Sequence, residues 1–297
     1  MKNIILVLFL ILGISCKKDK IKDEVLEQSE YETVKLLGKK SNLNISILLD
    51  LSDRINPKLH PNNTMDIYKR DIGYIKSIAQ TFEIHVRNKK TRRINDKIQL
   101  FIDPEPEEKE LNKKIKDLKI NFTRSNAKRN SILQTSKKYE KITESIYESA
   151  IKDNSYIGSD IWRFFKNKVE DYCVEDGYRN ILIILTDGYM YHKNSKKRNG
   201  NRSSYLTHNF IKNNRISNVD IPIKDFGYIS NVKDLSNLEI LVLGINPYEG
   251  NLNDEEIIHS YFEKWFKEMN VKKFDTKNTD LPSNTEKIIR KFIFESK

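Results

Sequence analysis

Asn180-Ile181-Leu182-Ile183-Ile184-Leu185-Thr186-Asp187-Gly188 is the stretch that decides the fold. Its apolar residues run on without polar alternation, so a strand here is buried on both faces. Such a strand belongs at the centre of a parallel sheet with helices above and below it. Working outward, Leu238 to Ile245 is a second continuous apolar run. Asn44 to Leu51, with a short apolar core bounded by polar residues, is a third strand candidate, and Lys97 to Asp103 a fourth, stopped by Pro104 and Pro106. Ile120-Asn121-Phe122 and Val271 to Asp275 are shorter candidates. Between these runs apolar residues recur at three and four. Tyr68, Ile72, Ile75, Ala79 and Phe82 form one stripe, and Tyr139, Ile142, Ile146 and Ala150 another. Ile161, Phe165, Val169 and Tyr172 form a third, and Ile258, Phe262, Trp265 and Met269 a fourth. Residues 107–117 read as a charged connection, and Ser283-Asn284-Thr285-Glu286 as a capping box opening the last helix.

Strands therefore alternate with helices. This order predicts an α/β fold, doubly wound, with a mostly parallel central sheet and helices on both faces. The expected strand order is 3-2-1-4-5-6, with residues 44–50 beside both 97–103 and 180–186 and the short strand near 120 at the edge. In such sheets ligands bind beyond the carboxyl ends of the strands. Those ends are where chemistry is to be sought.

The chain has 297 residues, 53 Lys+Arg against 42 Asp+Glu, and a formal charge of +11. Its apolar clusters, with 14 Tyr and 13 Phe, exclude wholesale disorder. No apolar run approaches the ~20 residues of a membrane-spanning helix, which excludes a polytopic membrane protein. Two cysteines exclude a disulfide scaffold. Cys173 lies among Val169, Tyr172 and Val174 and reads as a small core residue.

The amino terminus has its own logic. Lys2 precedes an apolar run from Ile4 to Leu12, then Gly13-Ile14-Ser15, Cys16 and a charged segment. A charged start, a short apolar middle and small residues make a secretory signal peptide, residues 1–15. A cysteine directly after it resembles the lipobox of bacterial lipoproteins, although Leu12 stands one place further out than that family's usual leucine. The resemblance implies a lipid on Cys16 and a chain tied to a membrane of the bacterial cell envelope, on its periplasmic or surface side. Residues 16–42 then read as a tether and 43–297 as the domain, with an insertion near 190–237. Export argues against nucleic acid as the partner of so basic a chain. Anionic lipid, polysaccharide or an acidic protein fits the charge better.

Three loops at the predicted strand ends concentrate oxygen ligands: Asp50-Leu51-Ser52-Asp53-Arg54, Gly158-Ser159-Asp160-Ile161 and Thr186-Asp187-Gly188. Oxygen donors of this kind suit a hard divalent cation, usually Mg²⁺. At these residues the chain resembles the von Willebrand factor type A domain. Its metal-ion-dependent adhesion site has Asp-x-Ser-x-Ser after the first strand, a Thr in a later loop and an Asp after the fourth strand. Asp50, Ser52 and Asp187 match, and Ser159 keeps a hydroxyl in place of the Thr. The resemblance implies Mg²⁺ held by Asp50, Ser52, Ser159 and Asp187. Arg54 stands where the second Ser belongs, so its guanidinium is the alternative cation, pairing with Asp50 and Asp187 in place of the metal. Each residue also has a plainer reading: Ser159 as a helix N-cap, Asp187 as a turn residue, Ser52 to Arg54 as a solvated loop.

The resemblance implies a non-enzymatic binding module that engages a protein partner at this site. Lys193, Lys196, Lys197, Arg198 and Arg202 follow Asp187 and are expected to rim the site, which points to an acidic partner. A Mg²⁺-dependent phosphohydrolase using Asp50 is the alternative, but Ser52 stands where its second Asp is needed. A scaffold with a dead site is the third reading. His60, His85, His192, His208 and His259 show no metal-ligand spacing.

Overall fold

The computed structural model describes residues 41–152, 158–230, 234–248 and 251–295. The expected signal peptide, Cys16 and the expected tether up to residue 40 lie outside the described residues. Ser41 to Ile293 form one compact unit.

Its centre is a six-stranded sheet. Strand β1 (Asn42–Leu49) lies between β2 (Asn95–Ile102) and β4 (Tyr178–Leu185), parallel to both. Short β3 (Ile120–Thr123) pairs antiparallel with β2 at one edge. Strands β5 (Arg198–Asn199), β6 (Arg202–Ser203) and β7 (Gly227–Tyr228) form a separate small sheet within the connection that follows β4. On the other side of β4 come β8 (Leu238–Ile245) and β9 (Lys273–Asn278), both parallel. The order β3-β2-β1-β4-β8-β9 is the doubly wound order expected from the alternation of elements. β1, β4 and β8 are buried on both faces almost throughout, as continuous apolar runs require.

Ten helices are described. They are α1 (Ile67–Arg87), α2 (Lys109–Asp117), α3 (Arg129–Leu133), α4 (Thr135–Lys152) and α5 (Ile161–Asn167). Then come α6 (Val169–Cys173), α7 (His208–Asn214), α8 (Asp220–Ile223), α9 (Leu252–Glu268) and α10 (Pro282–Phe294). Among the described residues no helix is long and apolar enough to cross a membrane.

Local readings need correction in four places. Residues 109–117 are a helix, α2, not a bare connection. The buried face of α1 centres on Ile67, Asp71, Tyr74, Ile75 and Ile78, so Tyr68 and Ile72 sit only at its margin. The stripe from Ile161 to Tyr172 is broken at Lys168, whose φ of −131° is not helical. Tyr172 consequently turns out and is 51% exposed. Helix α10 begins at Pro282, whose missing N–H suits the first helical position, so Ser283 lies inside the first turn. Cys173 is fully buried, and burial pushes its thiol up to about 12, the Ser46 hydroxyl opposing weakly. It is an inert core group.

Candidate functional site

Asp50 follows β1 and Asp187 follows β4. The two strands are parallel neighbours with Leu49 opposite Leu185, so both acids leave the same edge of the sheet. The junction is tight. Asp50 N donates to Leu185 O at 3.0 Å. Asp50 Oδ1 accepts from Ser52 N at 3.0 Å, and Oδ2 from Thr186 Oγ1 at 3.0 Å. A two-residue bridge brings in the third loop: Gly158 pairs with Leu51, Gly158 N donating to Leu51 O at 3.1 Å. Ser159 thus reaches the edge that holds Ser52 and Asp50. Gly188 fixes the turn after Asp187. Its φ is +97°, and a Cβ there would lie 2.5 Å from Ile258 Cγ2, so no larger residue fits.

Ser159 is 6% exposed, and its Oγ has no hydrogen-bond partner among the described residues. It does not cap α5. Asp160 is the N-cap, its Oδ1 accepting from Arg163 N at 3.0 Å. A buried hydroxyl left without a partner costs about 1–3 kcal/mol relative to a satisfied one.

Arg54 sits on a single 3₁₀ turn, Asp53–Ile55, and is 3% exposed. Its Nη2 donates to Asp71 Oδ2 at 2.7 Å and to the carbonyls of Asp50 and Leu185 at 3.2 Å each. Its Nε lies 3.7 Å from Asp50 Oδ2, so its ion pairs are with Asp71 and Asp50 and not with the expected Asp50 and Asp187. Asp71, on α1, also accepts from Tyr147 Oη on α4 at 2.9 Å. Burial alone would lower the guanidinium's pKa, but the carboxylates of Asp71 and Asp50 outweigh it and keep Arg54 charged. Burial raises the Asp71 carboxyl above its usual range, against the pull of Arg54 and Tyr147. Asp187 is partly exposed and accepts from Tyr189 N at 2.9 Å. Burial, with the Asp50 charge adding to it, pushes Asp187 up to about 7, while Arg54 and the Tyr189 amide oppose.

The basic segment is fastened to the loop that holds Ser159. Ser195 Oγ donates to Asp160 Oδ2, and His192 Nδ1 lies 3.2 Å from the same oxygen. Lys197 Nζ lies 5.7 Å from the centre of the Trp162 ring. Lys196 lies over Tyr205 at 5.3 Å and Arg198 over Phe210 at 5.3 Å. Lys193 is exposed. Arg202 is held inside the domain by Glu268 at 2.8 Å and Asp225 at 2.5 Å, so its charge is already matched.

Asp71 and Tyr147 lie outside the three loops to which the sequence points, whereas Thr186 belongs to one of them. Asp71 had a visible signal: it is an acid in phase with the buried apolar stripe Ile67, Tyr74, Ile75 and Ile78. A charge in that phase needs a buried partner. Tyr147 had none.

The donor set suits a divalent metal only in part. Ser52, Ser159 and Asp187 offer oxygens, and the unpartnered Ser159 hydroxyl suits a hard cation. Arg54 does not suit one, because it puts a positive charge beside Asp50. Among the described residues no three His, Cys, Asp or Glu side chains converge as metal ligands, so a cation would depend on the serine hydroxyls.

No family model matches the chain, and no curated protein does. Among solved structures it is similar to an aerotolerance-related membrane protein from Bacteroides fragilis carrying multiple mutations to serines. The identity is 12% and the TM-score 0.42, over 85% of this chain and 98% of that one. It is also similar to a pilus adhesin, SpaC, from Lactobacillus rhamnosus GG, at 11% identity and a TM-score of 0.38, over 86% of this chain and 30% of the adhesin.

Proposed function

We propose that this chain is a lipid-anchored, non-enzymatic binding module of the bacterial envelope, and that its partner is an acidic protein met at the carboxyl edge of β1 and β4. In this reading the Arg54 guanidinium supplies the positive charge that a metal supplies in the resembled adhesion sites. The observation that carries the reading is the burial of Arg54 between Asp71 at 2.7 Å and Asp50 at 3.7 Å. A cation fixed there holds the two carboxylates together without an exchangeable ion. The partner's carboxylates then meet Lys193, Lys196 and Lys197 at the rim.

A second reading keeps Mg²⁺, held by Asp50, Ser52, Ser159 and Asp187. One observation favours it, the buried Ser159 hydroxyl without a partner. Calorimetric titration with Mn²⁺ separates the two. With Arg54 as the cation, the wild type takes up no Mn²⁺ and Arg54→Ser gains it, with a rise in melting temperature on Mn²⁺ addition in the variant alone. Saturable Mn²⁺ binding by the wild type, abolished in Asp187→Ala, would establish the metal reading instead. The anchor is tested separately. Cys16→Ala should release the protein from membranes or block its processing, and membrane fractionation with wild-type processing would remove the lipoprotein reading.

A further inference from the structure

Two tyrosines flank the site in a way that the binding reading does not require. Tyr191 follows Asp187 by four residues. Tyr248 lies two residues beyond Asn246, whose N–H donates to Asp187 O at 3.0 Å. Each ring is 51% exposed. An exposed aromatic ring is ordinary by itself. These two lie beside the candidate site, and each also packs against a further ring.

Tyr191 meets Tyr205 edge-on at 6.3 Å, and Tyr205 meets Phe210 edge-on at 5.1 Å. Lys196 lies over both tyrosines, 6.0 Å from Tyr191 and 5.3 Å from Tyr205. Tyr248 lies against the His208 ring at 4.9 Å. His208 is held by Asp254 Oδ2 at 2.7 Å, and the same oxygen accepts from Tyr189 Oη at 2.5 Å. The Tyr248 N–H donates to Tyr189 Oη at 3.1 Å, which fixes its backbone as well. Each exposed ring therefore stands on a buttress anchored in the domain. A ring ordered in advance loses little entropy when a partner covers it, the property that makes aromatic residues binding hot spots.

We propose that Tyr191 and Tyr248 are the anchors of the partner contact and that the partner segment is an acidic polypeptide with aromatic residues among its carboxylates. The inference rests on the acidic-partner reading and adds the partner's second chemistry. A polypeptide is favoured over an anionic lipid surface because Asp53, exposed, and Asp187 share this edge. They would repel a uniformly negative surface. A polypeptide can set its carboxylates on Lys193, Lys196 and Lys197 and its rings on the tyrosines, away from the two acids.

The probes are polyglutamate and a random glutamate–tyrosine copolymer matched in total charge, read by fluorescence anisotropy at physiological ionic strength. The wild type should bind the copolymer roughly tenfold more tightly than polyglutamate, the scale of a small hot spot. Tyr191→Ser with Tyr248→Ser should erase that preference and leave polyglutamate binding unchanged, while Tyr191→Phe with Tyr248→Phe retains it. Lys193→Gln, Lys196→Gln and Lys197→Gln together should weaken both probes. Equal binding of the two polymers by the wild type overturns the tyrosine anchors and leaves the acidic-partner reading standing. Binding of neither polymer overturns that reading and this one with it. Binding of phosphatidylglycerol vesicles but of neither polymer assigns the face to lipid and overturns both.

Discussion

The two ends of the central sheet each hold a carboxylate near a cation, Asp96 fully buried and Asp187 partly exposed, and they behave in opposite ways. At the amino end Asp96 opens β2 and is fully buried. Its Oδ1 accepts from Leu43 N at 2.8 Å and faces His85 Nε2 at 3.2 Å. Its Oδ2 accepts from Lys89 Nζ at 2.7 Å and Asn95 N at 3.2 Å. His85 Nε2 also faces Ser41 O at 3.1 Å, and since both its neighbours are acceptors that nitrogen carries the proton. Burial pushes the Asp96 carboxyl up, but the bonds from His85, Lys89 and Leu43 more than offset it and hold it below its usual range. At the carboxyl end Asp187 has one amide donor, a like charge in Asp50, and a cation engaged elsewhere by Asp71. The same burial there wins, and the carboxyl rises to about 7. The number of donors aimed at a buried acid, not burial itself, sets the sign. A closed set marks an architectural end of the sheet, and the incomplete one lies at the end to which the proposed function assigns the partner.

One chemical change made at both ends tests this contrast most directly. Asp96→Asn leaves the ammonium of Lys89 buried without its counter-charge and should cost about 3–5 kcal/mol at neutral pH, read by urea unfolding. A loss below about 1 kcal/mol would mean that the amino-end cluster is not the closed structural unit described. Asp187→Asn should do the reverse. Because the wild-type carboxyl is raised, its contribution is complete below the ordinary value of 3.8 and is lost as the pH climbs to about 7. The variant should therefore be more stable than the wild type by on the order of 2 kcal/mol near pH 8, with the gain vanishing near pH 4. Asp96 has the opposite sign: its contribution is present above the ordinary value and is lost as the pH falls through its lowered one. A gain from Asp187→Asn that is equally large in acid would break the contrast between the two ends.

The smallest effect concerns Ser159. Removing a buried hydroxyl that has no partner leaves no orphan behind, so Ser159→Ala should lie within about 1 kcal/mol of the wild type, on the stabilising side. A loss of about 2 kcal/mol or more would show that the hydroxyl is satisfied in solution and that the site is closed at both ends of the sheet.

Periodicity made the sheet legible. Short, mostly apolar runs at Ile181–Leu185 and Leu238–Ile245 fit strands buried on both faces, and helical stripes between such runs favour parallel pairing. Chain order therefore determined that Asp50 and Asp187 leave one edge, because parallel neighbours end together. Composition could not tell which side chain faces which. The sequence placed Arg54 in the position of a ligand but not its contact with Asp71, seventeen residues away on α1. It offered Ser159 as a metal ligand or, more plainly, as a cap, and in the structure Asp160 is the cap while Ser159 is buried. Nor did a row of lysines and arginines reveal that Arg202 is matched by Glu268 and Asp225 while Lys193 is exposed. Strand order is a property of hydrophobic pattern, which is local and additive along the chain. The charge state of a site depends on distances of a few ångströms between groups far apart in sequence, and only the packed structure sets those distances.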